Sequence, residues 1–322
     1  MELHSIVTPV FWAGFIAFVL AMLALDLFVL GGKKAHKVGA REALTWTGVW
    51  VTLSLSFCGL LWWWLEGTLG REVANAKALE FLTGYLIELS LSVDNIFVFI
   101  MIFGFFAVPA EYQRRVLIYG VLGAIVMRAG MILGGAWLVQ QFHWVLYLFG
   151  AFLLITGFKM LIFAESEADL NKNPILNWLR GHLRITHEYH GEKFTIMRDG
   201  VRWFTPLFLV LVLIETSDVI FAVDSIPAIF AITTDPFIVF TSNIFAIMGL
   251  RSLYFLMADL NGRFHLLKYG LALVLMFIGV KMLVVDFYKV PIGLALGIVF
   301  IILTSSVAAS LIATRKRKEP LA

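Results

Sequence analysis

The sequence is poor in the residues on which soluble proteins and thiolate sites depend. It has one cysteine, Cys58, in 322 residues, so it can form no disulfide within itself and no thiolate metal site. Only 15% of its residues are charged, too few to cover the surface of a soluble domain of this size. We find no nucleophile–base pair, phosphate-binding loop or permanent cofactor motif, and nothing indicates a nucleic-acid partner. These absences argue against an enzyme.

Hydrophobic residues make up 61% of the chain, its mean hydropathy is +0.90, and phenylalanine alone occurs 29 times. Apolar runs of about 20 residues recur along it, which is the length that a helix needs to cross a bilayer. The sequence therefore predicts an all-α polytopic membrane protein with about nine transmembrane helices. The predicted spans are 6–30, 43–65, 79–106, 116–138, 143–163, 204–231, 236–258, 266–286 and 290–312.

Basic residues alternate sharply between successive connections. One set of connections holds eighteen lysines and arginines, including the tail at 315–318, whereas the other holds only Arg71, Lys77 and Lys289. Positive charge marks the cytoplasmic side of a membrane protein. The pattern therefore predicts a multi-pass protein of a bacterial inner membrane, with the N-terminus outside and the C-terminus in the cytoplasm.

Two apolar segments carry acids in mid-run. Leu86 to Phe99 reads LIELSLSVDNIFVF, and Ile214 to Ile232 reads IETSDVIFAVDSIPAIFAI. An acid at the bilayer centre costs about 2.5–3.5 kcal/mol on insertion scales, so a retained set is expected to face a cavity, an ion or a partner. These acids are Glu88, Asp94, Glu215, Asp218 and Asp224.

The order of residues predicts an internal repeat of three spans. Glu88 and Asp94 are spaced as Asp218 and Asp224 are, and later landmarks follow in the same order. Three spans are an odd number, so the two copies must insert in opposite orientations, which is the architecture of many secondary transporters. The later landmarks are Ala124-Ile125 with Arg128 against Ala246-Ile247 with Arg251, and Gly157 to Leu161 (GFKML) against Gly279 to Leu283 (GVKML).

The repeat divides the chain into five predicted segments. Residues 1–78 hold the first two helices, 79–163 the first repeat, 164–203 a cytoplasmic loop, 204–286 the second repeat, and 287–322 the last helix with a basic tail. Within the loop, Pro174 to Leu183 predicts a short amphipathic helix and Phe194 to Phe204 a hairpin around Asp199-Gly200.

Helical geometry raises a question about the two later acids. Residues seven apart share a helix face, so Glu88 should stack with Asn95 and Asp218 with Ser225. Asp94 and Asp224 should then point away unless the helices are broken. Pro227 predicts such a break in the sixth span, because it cannot donate to the Val223 carbonyl, which would become a free oxygen ligand.

The polar groups of these segments are all oxygen donors. Carboxylates, an amide, hydroxyls and a carbonyl suit a hard divalent cation such as Mg²⁺, Ca²⁺ or Mn²⁺. The alternative is that the acids and intramembrane arginines form structural ion pairs; Lys159 and Lys281 lie near span ends, where they could reach the interface. The candidate metal-binding residues are Glu88, Asp94, Asn95, Glu215, Asp218 and Asp224, with Ser217, Val223, Ser225, Arg128, Arg251 and Asp26 as supporting residues.

These two segments, together with TSNIFAIMGLRSLYFLMA and KYGLALVLMFIGVKMLVVDFY, resemble the integral membrane TerC family. The resemblance is firmest from about residue 80 to 288. It implies a place in the wider LysE-type transporter superfamily, a role in manganese efflux, and links to tellurite resistance and to the supply of metal to exported metalloenzymes. It also implies that the family's acidic motif positions fall on the six candidate metal-binding residues.

The leading hypothesis is a secondary transporter that exports a hard divalent cation, Mn²⁺ by the resemblance, through an acidic site between the third and sixth spans. Because no nucleotide-binding motif is present, an ion gradient should supply the energy, and proton antiport is the natural choice. The alternative is a non-transporting scaffold in the lipid bilayer, which would bind secretion, metallation or tellurite-stress partners through residues 164–203. An uncoupled pore is a third possibility.

Overall fold

The computed structural model describes residues 5–25, 39–142, 144–162, 170–259 and 266–318, which are almost entirely helical. The helices are α1 Pro9–Leu25, α2 Ala40–Leu69, α3 Arg71–Phe105, α4 Ala110–Gln141, α5 Val145–Ile162, α6 Pro174–His182, α7 Pro206–Phe230, α8 Pro236–Asp259, α9 Leu267–Leu283 and α10 Ile292–Lys318. Two short strands, β1 Thr195–Arg198 and β2 Val201–Phe204, lie between α6 and α7.

Seven of the described helices are long and apolar enough to cross a membrane, and α1 is a shorter apolar helix. Together with the low charge content, these helices confirm an all-α polytopic membrane protein. Each of the nine predicted spans coincides with one helix, although the exact number that crosses the bilayer stays a prediction. Asp26 lies outside the described residues.

The helices α3 and α7 cross in opposite directions at the middle of the molecule. Gly84 faces Ile229 at one end of their contact, and Asn95 meets Asp218 at the other. Around this pair, α3 packs on α8 while α4 packs on α7. In a two-fold repeat of α3–α5 and α7–α9, the first helix of each copy would pack on the second helix of the other, as is seen here. The inverted repeat itself stays a prediction.

The helices α5 and α9 are also antiparallel and pack unusually closely. A Cβ atom on Gly157 would lie 2.8 Å from the Ala272 carbonyl oxygen, and one on Gly279 would lie 2.8 Å from the backbone nitrogen of Leu154. Glycine at both positions lets the two backbones approach, as small residues do between membrane helices. Because Gly157 and Gly279 are matched positions of the repeat, both copies contribute equally to this contact.

The predicted break in the sixth span is wrong. The helix α7 runs without interruption through Pro227 and ends at Phe230. The physical reason is position: Pro227 lies three residues before the helix end, so its missing N–H removes one hydrogen bond close to the terminus and not in mid-helix. The Val223 side chain, one turn earlier, is 46% exposed and points out of the helix bundle.

The polar segment between α5 and α7 contains the two elements that the sequence predicts. The helix α6 begins after Asn173, whose side chain accepts from two backbone N–H groups, and the hairpin β1–β2 turns at Asp199-Gly200 with both residues at positive φ. Tyr189 donates to the Phe106 carbonyl at 2.6 Å, and burial raises the pKa of its hydroxyl, which therefore stays a donor at neutral pH. These contacts fix the segment to the end of α3.

Candidate functional site

A buried arginine lies between α3 and α7. The side chain of Arg128, from α4, is 1% exposed. Its Nε and Nη2 donate to the two carboxylate oxygens of Asp218 at 3.0 and 2.8 Å, and its Nη1 donates to Glu88. A planar guanidinium is suited to this bidentate geometry. Two of the candidate acids are therefore ion-paired, as the structural alternative predicts for them.

Two amides complete the cluster around Arg128. Asn95 donates to Asp218 at 3.4 Å, and Asn243 of α8 accepts from Arg128 Nη1 at 3.4 Å. The stacking of Glu88 with Asn95 that the sequence predicts is consistent with this arrangement, because both side chains reach the same cluster. One arginine facing two carboxylates leaves the cluster with a formal charge of minus one.

A cavity of about 440 Å³ opens beside this cluster, between α3, α7, α5 and α9. Asp94 and Asp224 both line it, so two matched acids of the repeat share one space. Thr156 of α5 is a hydrogen-bond partner of Asp224. The other polar residues of the lining are Glu88, Asn95, Arg128, Lys159 and Ser225.

The expectation that Asp94 and Asp224 point away from the site in intact helices is therefore corrected. Both helices are continuous, and both acids still reach the cavity. Residues six apart differ by about 120° around a helix. The cavity lies to one side of the α3–α7 contact, and α5 and α9 form its far wall. Side chains on that side of α3 and α7 reach it, as do side chains from the contact itself.

Several buried oxygen atoms in the lining lack a hydrogen-bond partner among the described residues. They are Asp224 Oδ1, Ser225 Oγ, Asn95 Oδ1 and Glu88 Oε2, and all four residues line the same cavity. Buried polar atoms are rarely left unpaired in proteins, because each carries a desolvation cost of about 1–3 kcal/mol. Acceptor oxygens gathered around one space are the chemistry that a hard cation or its hydration water satisfies.

Three other candidate residues lie away from the cavity lining. The carboxylate of Glu215 lies against Gly123 of α4, in the space that a side chain at residue 123 would occupy. Arg251 lines a separate narrow pocket with Trp50 and Met248. Ser217 donates to the Leu213 carbonyl of its own helix at 2.8 Å, which is a local bond of α7.

The site also uses residues that sequence reasoning missed. Thr156 lies in an apolar run with no acid nearby, and Asn243 lies in a segment that resembles the family, but no role is assigned to it. Lys159 does belong to the repeated GxKML motif, and its position near a span end favoured an interfacial role. Its presence in the cavity lining depends on the packing of α5 against α9, which the motif alone does not reveal.

Within the described residues, no group of three or more histidine, cysteine, aspartate or glutamate side chains lies close enough to hold a metal ion. The six predicted ligands are divided among the Arg128 cluster, the cavity and the α4–α7 contact. An ion in the cavity would therefore be held by one or two carboxylates together with neutral oxygens and its own water, which is how Mg²⁺-like cations are commonly bound.

Comparison with known proteins gives consistent relatives. Residues 73–318 match the integral membrane protein TerC family. The chain is 58% identical over 301 residues to Alx of Escherichia coli strain K12, with 94% of each chain covered, and the words "membrane-bound redox modulator" form part of that protein's name. No solved structure matches the chain.

Two further relatives extend over nearly the whole length. The Alx protein of Salmonella typhi is 54% identical over 319 residues, which cover 99% of each chain. A membrane protein of Myxococcus xanthus, STKORF319, is 48% identical over 311 residues, which cover 97% of this chain and 95% of that one. The family match covers most of the described helices and both acidic segments. The chain therefore belongs to the integral membrane TerC family.

Proposed function

We propose that the protein is a secondary transporter that exports a hard divalent cation from the cytoplasm across the inner membrane. The observation that carries the proposal is the cavity lined by Asp94 and Asp224. These acids occupy equivalent positions of the predicted repeat, and neighbouring residues of the same lining carry buried oxygens that lack a hydrogen-bond partner. A purely structural set of acids would be expected to end in ion pairs, as Glu88 and Asp218 do.

The charge of the site supports a cation. Counted as ionised, Glu88, Asp94, Asp218 and Asp224 carry four negative charges, Arg128 and Lys159 carry two positive charges, and Lys268 of α9 adds a third that acts on Asp94. The acids are in excess, and a bound cation or protons would offset the remainder. Exchange of one metal ion for protons would keep this region electrically balanced within the membrane, where an uncompensated charge is costly.

Among the hard cations, we propose Mn²⁺. The oxygen donors alone suit Mg²⁺ and Ca²⁺ as well, and the choice of Mn²⁺ follows from what the family resemblance implies. In this mechanism the ion enters from the cytoplasm, binds in the cavity between α3 and α7, and leaves on the outer side when one repeat rocks against the other. An inward proton flow would drive the cycle.

Manganese binding tests this proposal. We expect the purified protein to remove free Mn²⁺ from solution, measured as loss of the free-ion electron paramagnetic resonance signal. Asp94→Asn and Asp224→Asn should each weaken binding at least ten-fold, because each removes one of the few charged ligands that the cavity offers. Asp199→Asn is the matched control, since its side chain is 92% exposed in the hairpin turn. Equal binding by all four proteins would contradict the site assignment.

A scaffold function is the second candidate, and the polar segment supports it. This segment is held in place by the Tyr189–Phe106 hydrogen bond and by Arg115, which is 3.3 Å from Glu192 and lies over the ring of Phe194. Such an ordered surface could bind a partner protein. A scaffold predicts that Asp94→Asn and Asp224→Asn leave function intact, whereas a transporter predicts that they abolish it.

The words "redox modulator" in the name of some relatives suggest a third activity. Reversible dithiol chemistry within one chain needs two cysteines, and this sequence has Cys58 alone. That cysteine is buried between α2 and α3, 3.7 Å from the Ala78 carbonyl oxygen. We therefore place the cation-transport proposal ahead of a thiol-based redox function.

A further inference from the structure

Two lysines occupy equivalent positions of the predicted repeat and have different surroundings. Lys159 belongs to GFKML at the end of α5, and Lys281 belongs to GVKML at the end of α9. If the two copies had the same conformation, both lysines would have the same kind of partner. They do not: Lys281 donates to a backbone carbonyl, whereas Lys159 lines the cavity of Asp94 and Asp224, so the two copies differ at this point.

Lys281 is bound to the end of α7. Its Nζ donates to the Ala231 carbonyl at 3.0 Å, and Ala231 caps the C-terminus of that helix. The bond joins α9 to α7 one residue after α7 ends, at a point seven residues beyond Asp224. A second cavity of about 310 Å³ lies beside this bond, lined by Lys281, Thr233, Lys289 and the Lys77–Glu80 ion pair.

Lys159 instead lies at the open cavity. Its side chain is exposed, and it lines the same space as Asp94 and Asp224. The two acidic segments of the repeat are offset by 130 residues, so the position equivalent to Ala231 is Met101 on α3. Met101 lies close to the end of α3, which ends at Phe105, whereas Ala231 lies just beyond the end of α7. The equivalent of the Lys281–Ala231 bond would join Lys159 to the Met101 carbonyl and draw α5 against α3.

We propose that these lysines are the two gates of the transport pathway. In the conformation described here, the Lys281–Ala231 bond closes one end while Lys159 leaves the other end open. In the opposite-facing conformation, Lys281 releases Ala231 and Lys159 binds the Met101 carbonyl, which closes the cavity beside Asp94. This inference rests on the proposed transport function and names the groups that alternate during it.

A simpler role for Lys281 is to stabilise the C-terminus of α7, because lysines often bind the last carbonyls of a helix. The two roles predict different effects at a distance. A helix-end contact would affect only its own end of the molecule. A gate, if broken, must change the accessibility of the cavity at the Lys159 end as well, since both ends report on one equilibrium.

Thiol labelling tests the gates without a transport measurement. In a Cys58→Ala background, Met160→Cys reports on the open cavity, and Thr233→Cys, which is buried, reports on the Lys281 end. We expect Lys281→Met to speed labelling of Thr233→Cys by a water-soluble maleimide and to slow labelling of Met160→Cys. The ratio of the two rates should change about ten-fold, as expected for the loss of one charge-assisted hydrogen bond.

Three controls make the result specific. Lys159→Met should shift the ratio in the opposite direction, and Lys281→Arg, which keeps a donor, should restore it. Lys289→Met removes the same charge from the same second cavity at an exposed position and should leave the ratio unchanged. If Lys281→Met does not fold, Lys281→Gln provides a milder loss of the charged donor.

The proposal is overturned if Lys281→Met changes only the Thr233→Cys rate, or if both lysine variants shift the ratio in the same direction. Failure of the transport proposal gives a different result. If wild-type protein moves no Mn²⁺ but the lysine variants change labelling at the two ends in opposite directions, the gates stand and Mn²⁺ is rejected as the ion. Wild-type Mn²⁺ flux with unchanged labelling in every lysine variant would reject the gates alone.

Discussion

Glu88 and Asp218 contact the Arg128 guanidinium, and Asp94 and Asp224 do not. This difference separates four acids that look alike in the sequence. The first two hold α3, α4 and α7 together through a fully buried side chain, whereas the last two face open space. We infer that Arg128 makes Glu88 and Asp218 weaker ligands for a cation than Asp94 and Asp224, because a second positive charge close to the first two would be repelled by the guanidinium.

Replacement of Arg128 tests this division of roles. Arg128→Met should lower the free energy of unfolding by about 3–5 kcal/mol, because it leaves two buried carboxylates without a partner. Thermal unfolding in detergent measures the change, with the loss of monodisperse protein as the signal. The triple variant Arg128→Met, Glu88→Gln, Asp218→Asn should recover most of the stability. If the single variant unfolds at the same temperature as the wild type, the cluster does not stabilise the fold.

The sequence predicts much of this site and misses specific parts of it for physical reasons. Acids in apolar runs are conspicuous, so Glu88, Asp94, Asp218 and Asp224 can be chosen from their positions in the sequence. The alternative of structural arginine–acid pairs holds for Arg128 with Glu88 and Asp218. Which acid pairs with the arginine depends on the register between helices, which no local pattern encodes. Thr156 could not be found, since a lone threonine in an apolar helix usually bonds to its own backbone.

At the scale of elements, the antiparallel contact between α5 and α9 forms the wall of the cavity opposite α3 and α7. Its closeness depends on glycines that bring backbone against backbone. The predicted spans and the hairpin turn at Asp199-Gly200 coincide with observed elements, because hydrophobic length and turn chemistry are local signals. The pairing of α5 with α9 is not local, and the sequence analysis does not predict it.

A single methyl group at Gly157 should disturb this wall. Gly157→Ala would place a Cβ atom 2.8 Å from the Ala272 carbonyl oxygen and 3.0 Å from the Met276 backbone nitrogen, and backbone cannot move aside cheaply. We expect a loss of about 1–3 kcal/mol in the free energy of unfolding. The control is Gly130→Ala, since no atom of the described residues, apart from its own helix backbone, lies within 4 Å of a Cβ at that position. Equal melting temperatures for the two variants would contradict this account of the contact.

At the scale of the whole molecule, the repeated motifs look alike in the sequence, but the structure gives only some of them alike surroundings. Both matched acids face one cavity, while the matched lysines Lys159 and Lys281 lie in different environments. Two copies of one motif in two environments are what a transporter requires, because exchanging the environments exposes the same site to the other side.

The whole-molecule account can be tested by Mn²⁺ flux into proteoliposomes that contain a metal-quenched dye. Wild-type protein should carry Mn²⁺, a pH gradient across the liposome should change the rate, and Asp224→Asn should abolish the flux while Asp199→Asn retains it. A flux whose rate does not depend on the pH gradient would indicate an uncoupled pore. Folded wild-type protein that carries no Mn²⁺, Mg²⁺ or Ca²⁺ in either direction would contradict the central claim and favour the scaffold.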